Sequence, residues 1–202
     1  MHVMWMFRPQ ACFVTDDMDV PLGLESGIVR LVPHNARWAE LFTHEAARIH
    51  TALTECNLPI TVEHMGSTAV PGMPAKPIID ILVGWLGEED RSALIPALQK
   101  HAYVYRGDQG IVGRDFFRLG NPRQYHLHLT RLGASFWRAH LAFRDLLRAD
   151  GKVADAYGTL KQQLALKHPR DRGAYIDGKT AFVQAALQHA KTLGLYRDTE
   201  QP

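Results

Sequence analysis

The chain predicts an α+β fold, a mixed β-sheet backed by helices with a helical C-terminal region, and three observations carry that prediction. Strand-like runs are concentrated in the middle of the chain, at residues 60–65, 77–85, 114–119 and 124–130. Apolar residues recur at three- and four-residue spacing before them and after them. Glycine and proline punctuate the connections, as at Pro59, Gly66, Gly72 and Gly107. Strands gathered in one stretch with helices on either side build layers of α+β type.

The elements follow in order. Residues 1–27 read as an N-terminal extension: the apolar run from Met1 to Phe13 is broken by Arg8 and Pro9, lacks a small-residue cleavage motif, and is followed by Asp16, Asp17 and Asp19. Asn35 can cap a helix whose apolar stripe uses Trp38, Leu41, Phe42, Ile49 and Leu53, with Pro59 closing the connection. A hairpin of residues 60–65 and 77–85 comes next. A helix over about 90–100 leads to a strand near Tyr103, and Gly107, Gly110 and Gly113 mark turns before the strand at 114–119. After the strand at 124–130, residues 137–149, 153–167 and 174–193 read as helices. This divides the chain into a core at 28–132, a C-terminal helical region at 133–195 and a tail at 196–202.

Composition narrows the function classes. The chain has 202 residues, enough for one substantial core, and its 22% charged and 46% apolar fractions are those of an ordinary globular protein. A net charge of +2 without a basic run argues against non-specific nucleic-acid binding. Cys12 and Cys56 stand far apart without CxxC spacing, which indicates neither a disulfide framework nor a zinc site and fits a reduced cytoplasm. No run reaches the length of a membrane span. The oligomeric state is not legible.

The densest chemistry lies in residues 66–80. Gly66 permits close backbone approach, and Ser67 and Thr68 offer hydroxyls beside consecutive N–H groups that can bind an anion. Lys76 adds a cation just ahead of the second strand, and Asp80 interrupts that strand's apolar run. A carboxylate inside a buried strand needs a partner, a hydrated cleft or a cation. Every one of these groups has a phosphate role, Asp80 through a divalent metal bridging to phosphate oxygens.

At these residues the chain resembles the GrpB family, and through it the DNA polymerase β-like nucleotidyltransferases, with their Gly-Ser loop and strand-borne aspartates. The resemblance rests on residues 66–80, on Tyr125-His126-Leu127-His128 and Phe143-Arg144-Asp145-Leu146-Leu147-Arg148, and on residues 157–161 and 175–179, and covers about residues 29–190. It implies a nucleotidyltransferase-like sheet, a nucleoside triphosphate as ligand and a divalent metal. One departure stands out: the better understood nucleotidyltransferases carry two carboxylates one residue apart on the second strand, and Leu82 holds the second position here. Two-metal transfer needs enough negative ligands for both cations.

His126 and His128, two apart on a strand, share a face and can both meet Asp80. With it they suit Mn²⁺ or Zn²⁺ better than Mg²⁺, and one of them can instead serve as a general base. Two histidines bonded to neighbours on a half-buried strand is the structural alternative.

The C-terminal helices supply cations. Arg144 and Arg148 are one turn apart, and Tyr-x-x-x-Lys occurs twice, as Tyr157 with Lys161 and Tyr175 with Lys179. A base or pantetheine can stack on a tyrosine while lysine or arginine holds phosphate. The alternative for Arg144 and Lys161 is a solvated helix face. Arg114 and Arg118 share a strand face, with Asp108 and Asp115 as ordinary partners.

Three functions compete. The first is a nucleotidyltransferase acting on a small-molecule acceptor: Gly66, Ser67, Thr68, Lys76, Arg144, Arg148, Lys161, Tyr175 and Lys179 bind nucleotide, and Asp80, His126 and His128 form the metal and catalytic set. The second is a non-catalytic module that binds a nucleotide or a coenzyme A precursor, the latter because GrpB-like regions occur fused to dephospho-coenzyme A kinases. The third is a scaffold in which Lys76 and Asp80 form an internal ion pair. A Ser67 hydrolase with His64 or His126 as base lacks a G-x-S-x-G elbow.

Overall fold

The computed structural model describes residues 22–86 and 91–196. Most of the N-terminal extension, Cys12, Asp90 and the last six residues lie outside the described residues.

Helix α1 (Arg37–Leu53) opens the fold, with the Asn35 side chain accepting from the Arg37 N–H at 3.0 Å. Strand β1 (Ile60–Met65) and strand β2 (Ile79–Trp85) form the antiparallel hairpin. Helix α2 (Leu94–Lys100) and strands β3 (Val104–Tyr105), β4 (Arg114–Leu119) and β5 (Tyr125–Arg131) complete the sheet region. Gly107, Gly110 and Gly113 all adopt positive φ at the turns that their spacing predicts.

The sheet order is β1-β2-β5-β4-β3, with β2 and β5 parallel and every other pairing antiparallel. The parallel pair brings Asp80 opposite His126 and Leu82 opposite His128. Helices cover both faces of β2, which explains its near-continuous apolar run. Ile79, Ile81, Val83 and Trp85 pack with Trp38, Ile49 and Leu53 of α1 and Leu94 and Leu98 of α2. Alternation sends Asp80, Leu82 and Gly84 to the opposite face, where Leu82 joins Met65 and Trp137. Gly84 is required there: a Cβ would stand 2.6 Å from the Trp137 ring.

Trp137 belongs to helix α3 (Ser135–Ala149), and helix α4 (Gly151–Lys167) follows after the Asp150 cap, which accepts from the N–H groups of Lys152 and Val153. The expectation of one helix over 174–193 is corrected. Helix α5 (Arg172–Asp177) and helix α6 (Thr180–Thr192) are separate, and the break at Gly178 lies against α4, where a Cβ would meet Leu164 at 2.5 Å. That break brings Lys179 over the Tyr175 ring, at 4.5 Å from its centroid.

Candidate functional site

Between the start of β2, the loop after β1 and the helices α4 and α5 lies a cavity of about 150 Å³. Its lining includes Gly66, Ser67, Thr68, Lys76, Asp80, His126, Tyr157, Lys161, Tyr175 and Lys179. Two larger depressions, of about 740 and 900 Å³, lie along Gly72 and Pro74 on the outer side of α4. Size does not mark the site here. The smaller cavity is where titratable groups with displaced pKa values converge, and that convergence identifies functional clefts better than volume.

Local backbone geometry builds the floor. Gly66 has φ +73°, and a Cβ on it would fall 2.7 Å from Asp80 Oδ2, so glycine alone lets the loop pass this close to the carboxylate. The Ser67 hydroxyl accepts from Lys161 Nζ at 2.8 Å, and Lys161 also donates to the Pro74 carbonyl. The Thr68 hydroxyl pairs with His64 Nε2 at 3.0 Å.

Three lysines surround the space. Lys161 is only 2% exposed, which overturns its reading as a solvated helix face. Its ammonium stands 5.0 Å from the Tyr157 ring centroid, and Lys76 and Lys179 share the Tyr175 ring at 5.7 and 4.5 Å. The two tyrosines are buried beneath these cations, so their rings form the floor and are not open to a stacking base. Burial pushes Lys161 down to about 7, and the charges of Lys179 and Lys76 push the same way. Burial and the neighbouring Lys76 bring Lys179 down to about 8. Burial also lowers Lys76, with Asp80 opposing it. No direct ion pair links Lys76 to Asp80, which removes the main support for the scaffold reading.

Opposite the lysines, His126 Nδ1 lies 3.1 Å from Asp80 Oδ1 and His128 Nε2 lies 3.9 Å from the same oxygen. Burial alone would raise the Asp80 carboxyl, but the two imidazoles outweigh it and hold the group below the ordinary carboxylate range. Burial pushes His128 down to about 4 and lowers His126 as well. Both imidazoles are therefore neutral at pH 7 and Asp80 is ionised. A neutral His126 that donates from Nδ1 keeps its lone pair on Nε2. That Nε2 is buried without a hydrogen-bond partner.

The expected metal set of Asp80, His126 and His128 converges as a hydrogen-bonded group. The nitrogen of His126 nearest Asp80 already donates to it, and His128 turns its Nε2 to the same oxygen. Leu82, in the second carboxylate position, is fully buried among Met65 and Trp137. Among the described residues no group of three His, Cys, Asp or Glu side chains is disposed to hold a metal ion. The donor set does not fit the two cations of metal-assisted transfer.

Arg144 and Arg148 are not in the cavity. Arg144 binds Glu63 and Asp145, each at 2.7 Å, and donates to the His64 carbonyl, while Arg148 donates twice to the Ala69 carbonyl. They brace the β1 end and the loop behind it. Sequence reading missed Arg172, which stands one turn before Tyr175 on α5, a spacing visible in the sequence.

Comparison with known proteins agrees with this architecture. The sequence profile described as GrpB protein matches residues 28–189. The chain belongs to the GrpB family. The glutamate-rich protein GrpB of Alkalihalophilus pseudofirmus is 36% identical over 82% of the chain and 98% of its own length. UPF0157 protein YqkA of Bacillus subtilis is 37% identical over 81% of the chain, which spans only 47% of YqkA. The crystal structure of GrpB from Enterococcus faecalis superposes with TM-score 0.72 at 35% identity, over 82% of this chain and 99% of that one. The GLD-2/RNP-8 complex aligns with TM-score 0.53 at 12% identity, over 76% of this chain and 49% of that one, and places GrpB in the nucleotidyltransferase fold. No described helix is long and apolar enough to cross a membrane.

Proposed function

We propose that this GrpB chain binds the phosphoryl end of a nucleotide or of a nucleotide-like coenzyme A precursor, in a cavity where lysines supply the neutralising charge. The observation that carries this reading is the convergence of Lys76, Lys161 and Lys179 on one small cavity beside the Ser67 loop. The buried Lys161 and the half-buried Lys76 and Lys179 all lose hydration, and the lysine charges further lower Lys161 and Lys179. An oxyanion relieves both penalties at once.

Size points the same way. At about 30 Å³ per water, the 150 Å³ cavity holds about five waters, well below the ~300 Å³ at which small-molecule pockets begin. It suits one or two phosphoryl groups, with the rest of the ligand leaving past Asp80, whose side chain is 31% exposed.

Nucleotidyl transfer to a small acceptor is the second reading, and the Asp80–His126 pair favours it. On that reading Asp80 fixes the tautomer of His126, and the His126 Nε2, buried without a partner in the free protein, takes the proton of an acceptor hydroxyl that enters beside it. Binding and transfer part company in one assay. Incubation with a radiolabelled nucleoside triphosphate and candidate acceptors, read for pyrophosphate release, gives tight binding without release on the first reading and His126-dependent release on the second. Absence of any nucleotide, coenzyme A precursor or pyrophosphate binding refutes both.

A further inference from the structure

Ser67 and Lys161 share a bond that anion binding alone does not use. Lys161 Nζ stands 2.8 Å from Ser67 Oγ and also donates to the Pro74 carbonyl. Among the described residues no carboxylate pairs with Lys161, although its side chain is only 2% exposed. Its polar partners are two neutral oxygens, and it shares its cavity with the cations of Lys76 and Lys179. A buried amine without a counter-ion, beside like charges, favours the neutral form.

The hydrogen bonds fit that form. A neutral amine donates to the Pro74 carbonyl and keeps its lone pair for an O–H donor. Ser67 supplies the donor, since among the described residues its hydroxyl has no hydrogen-bond partner other than Lys161. With Lys161 neutral, the 2.8 Å contact reverses and the hydroxyl donates to Nζ, the arrangement of a serine activated by an adjacent base. Serine with lysine is a recurring variant of that pairing. Ser67 also lines the cavity, so its oxygen faces the space in which Lys76 and Lys179 remain to neutralise phosphoryl oxygens. Burial and the two neighbouring lysines bring Lys161 down to about 7, which populates both of its forms at neutral pH.

We propose that Ser67 is a nucleophile with Lys161 as its base, and that Ser67 takes a phosphoryl group covalently from a phosphoric anhydride bound in the lysine cavity. The covalent step rests on the phosphoryl reading of the cavity and adds the protein's own hydroxyl as acceptor. Ser67 Oγ forms a bond to phosphorus, and the bond from phosphorus to the bridging anhydride oxygen breaks. That oxygen keeps the electron pair and leaves as a carboxylate or phosphate, while the Ser67 proton passes to Lys161 Nζ. Lys76 and Lys179 neutralise the oxygens of the group in transfer. The product is phosphoserine at position 67, with a protonated Lys161 beside it.

Acetyl phosphate is a small anhydride suited to so small a cavity, and incubation of the full chain with it in EDTA, read by intact-mass and peptide mass spectrometry, tests the step. Wild type gains one HPO₃ group, on Ser67, and releases acetate. Ser67→Ala gains none. Lys161→Arg keeps a charge beside Ser67 but not a base, and its labelling slows on the order of a hundredfold. The wild-type pH profile makes the same test without a substitution: at saturating acetyl phosphate the labelling rate rises from about pH 6 to about pH 8 as the neutral amine accumulates, while reversible sulfate binding falls over the same range. No label, label on a residue other than Ser67, or a rate indifferent both to pH and to Lys161→Arg overturns the dyad. Calorimetry with sulfate separates the two failures. Sulfate binding without label refutes the covalent step and leaves the phosphoryl reading standing, whereas neither binding nor label refutes both.

Discussion

Lys161 of α4 donates to the Ser67 hydroxyl at 2.8 Å, tying the loop after β1 to a helix 94 positions later in the chain. That single bond joins the two halves of the candidate site. It also buries a cation that the sequence alone allows to be solvent-exposed.

The Lys161 ammonium makes ligand binding pH-dependent. Its folded pKa of about 7 means that the protonated, anion-binding form is lost as pH rises through 7, with Lys179 following near 8. Affinity for sulfate, a dianion throughout this range, is therefore highest below pH 7 and falls steadily to pH 9. In Lys161→Met the part of that fall near pH 7 disappears, together with most of the affinity, and the part owed to Lys179 near pH 8 remains, as titration at four pH values would record.

Stability of the ligand-free protein moves in the opposite direction. The Lys161 pKa is lowered on folding from the ordinary lysine value of 10.5 to about 7, so between these values the unfolded chain holds more protons than the folded one. Stability consequently rises with pH across that window. Thermal melts from pH 7 to 10 should show the rise in wild type and a shallower one in Lys161→Met; parallel curves would contradict the assignment.

Asp80 is the carboxylate that faces the lysine cavity, and its removal sharpens the account. Asp80→Asn takes away a charge that repels the anion, so metal-free phosphate binding tightens by about tenfold, or ~1.4 kcal/mol. Binding that weakens instead, and does so only when Mg²⁺ or Mn²⁺ is present, would assign Asp80 to a metal.

Gly66→Ala tests the loop. Its φ of +73° and the 2.7 Å approach to Asp80 Oδ2 make any side chain both strained and obstructive. The cost exceeds about 1 kcal/mol in denaturant unfolding, and anion binding falls with it because the loop amides and the Ser67 hydroxyl are displaced.

Arg144→Ala separates brace from binder. The guanidinium holds Glu63, Asp145 and the His64 carbonyl, so its loss costs about 1.5–3 kcal/mol of stability. At temperatures where the variant is folded, phosphate affinity stays within about twofold of wild type.

Much of the sheet was legible because its physics is local. Strands at Ile60–Met65 and Arg114–Leu119 match their expected bounds, and the two-residue spacing of His126 and His128 places both toward Asp80. The helices were harder to assign. Arg144 and Lys161 are both basic residues near helix apolar stripes, yet one braces Glu63 and the other enters the cavity, because the docking of α3 and α4 on the sheet decides which way each points. Gly178 likewise divides the last helical run only because α4 packs against it through Leu164.

The central claim is that lysines, without a protein-bound metal pair, hold a phosphoryl group beside Asp80. Its most direct measurement is calorimetric titration of the full chain with pyrophosphate in EDTA, repeated with Mg²⁺ and with Lys161→Met. The account predicts binding in EDTA that Mg²⁺ does not strengthen and that Lys161→Met reduces at least about tenfold. Binding seen only with Mg²⁺, or binding indifferent to Lys161, would contradict it.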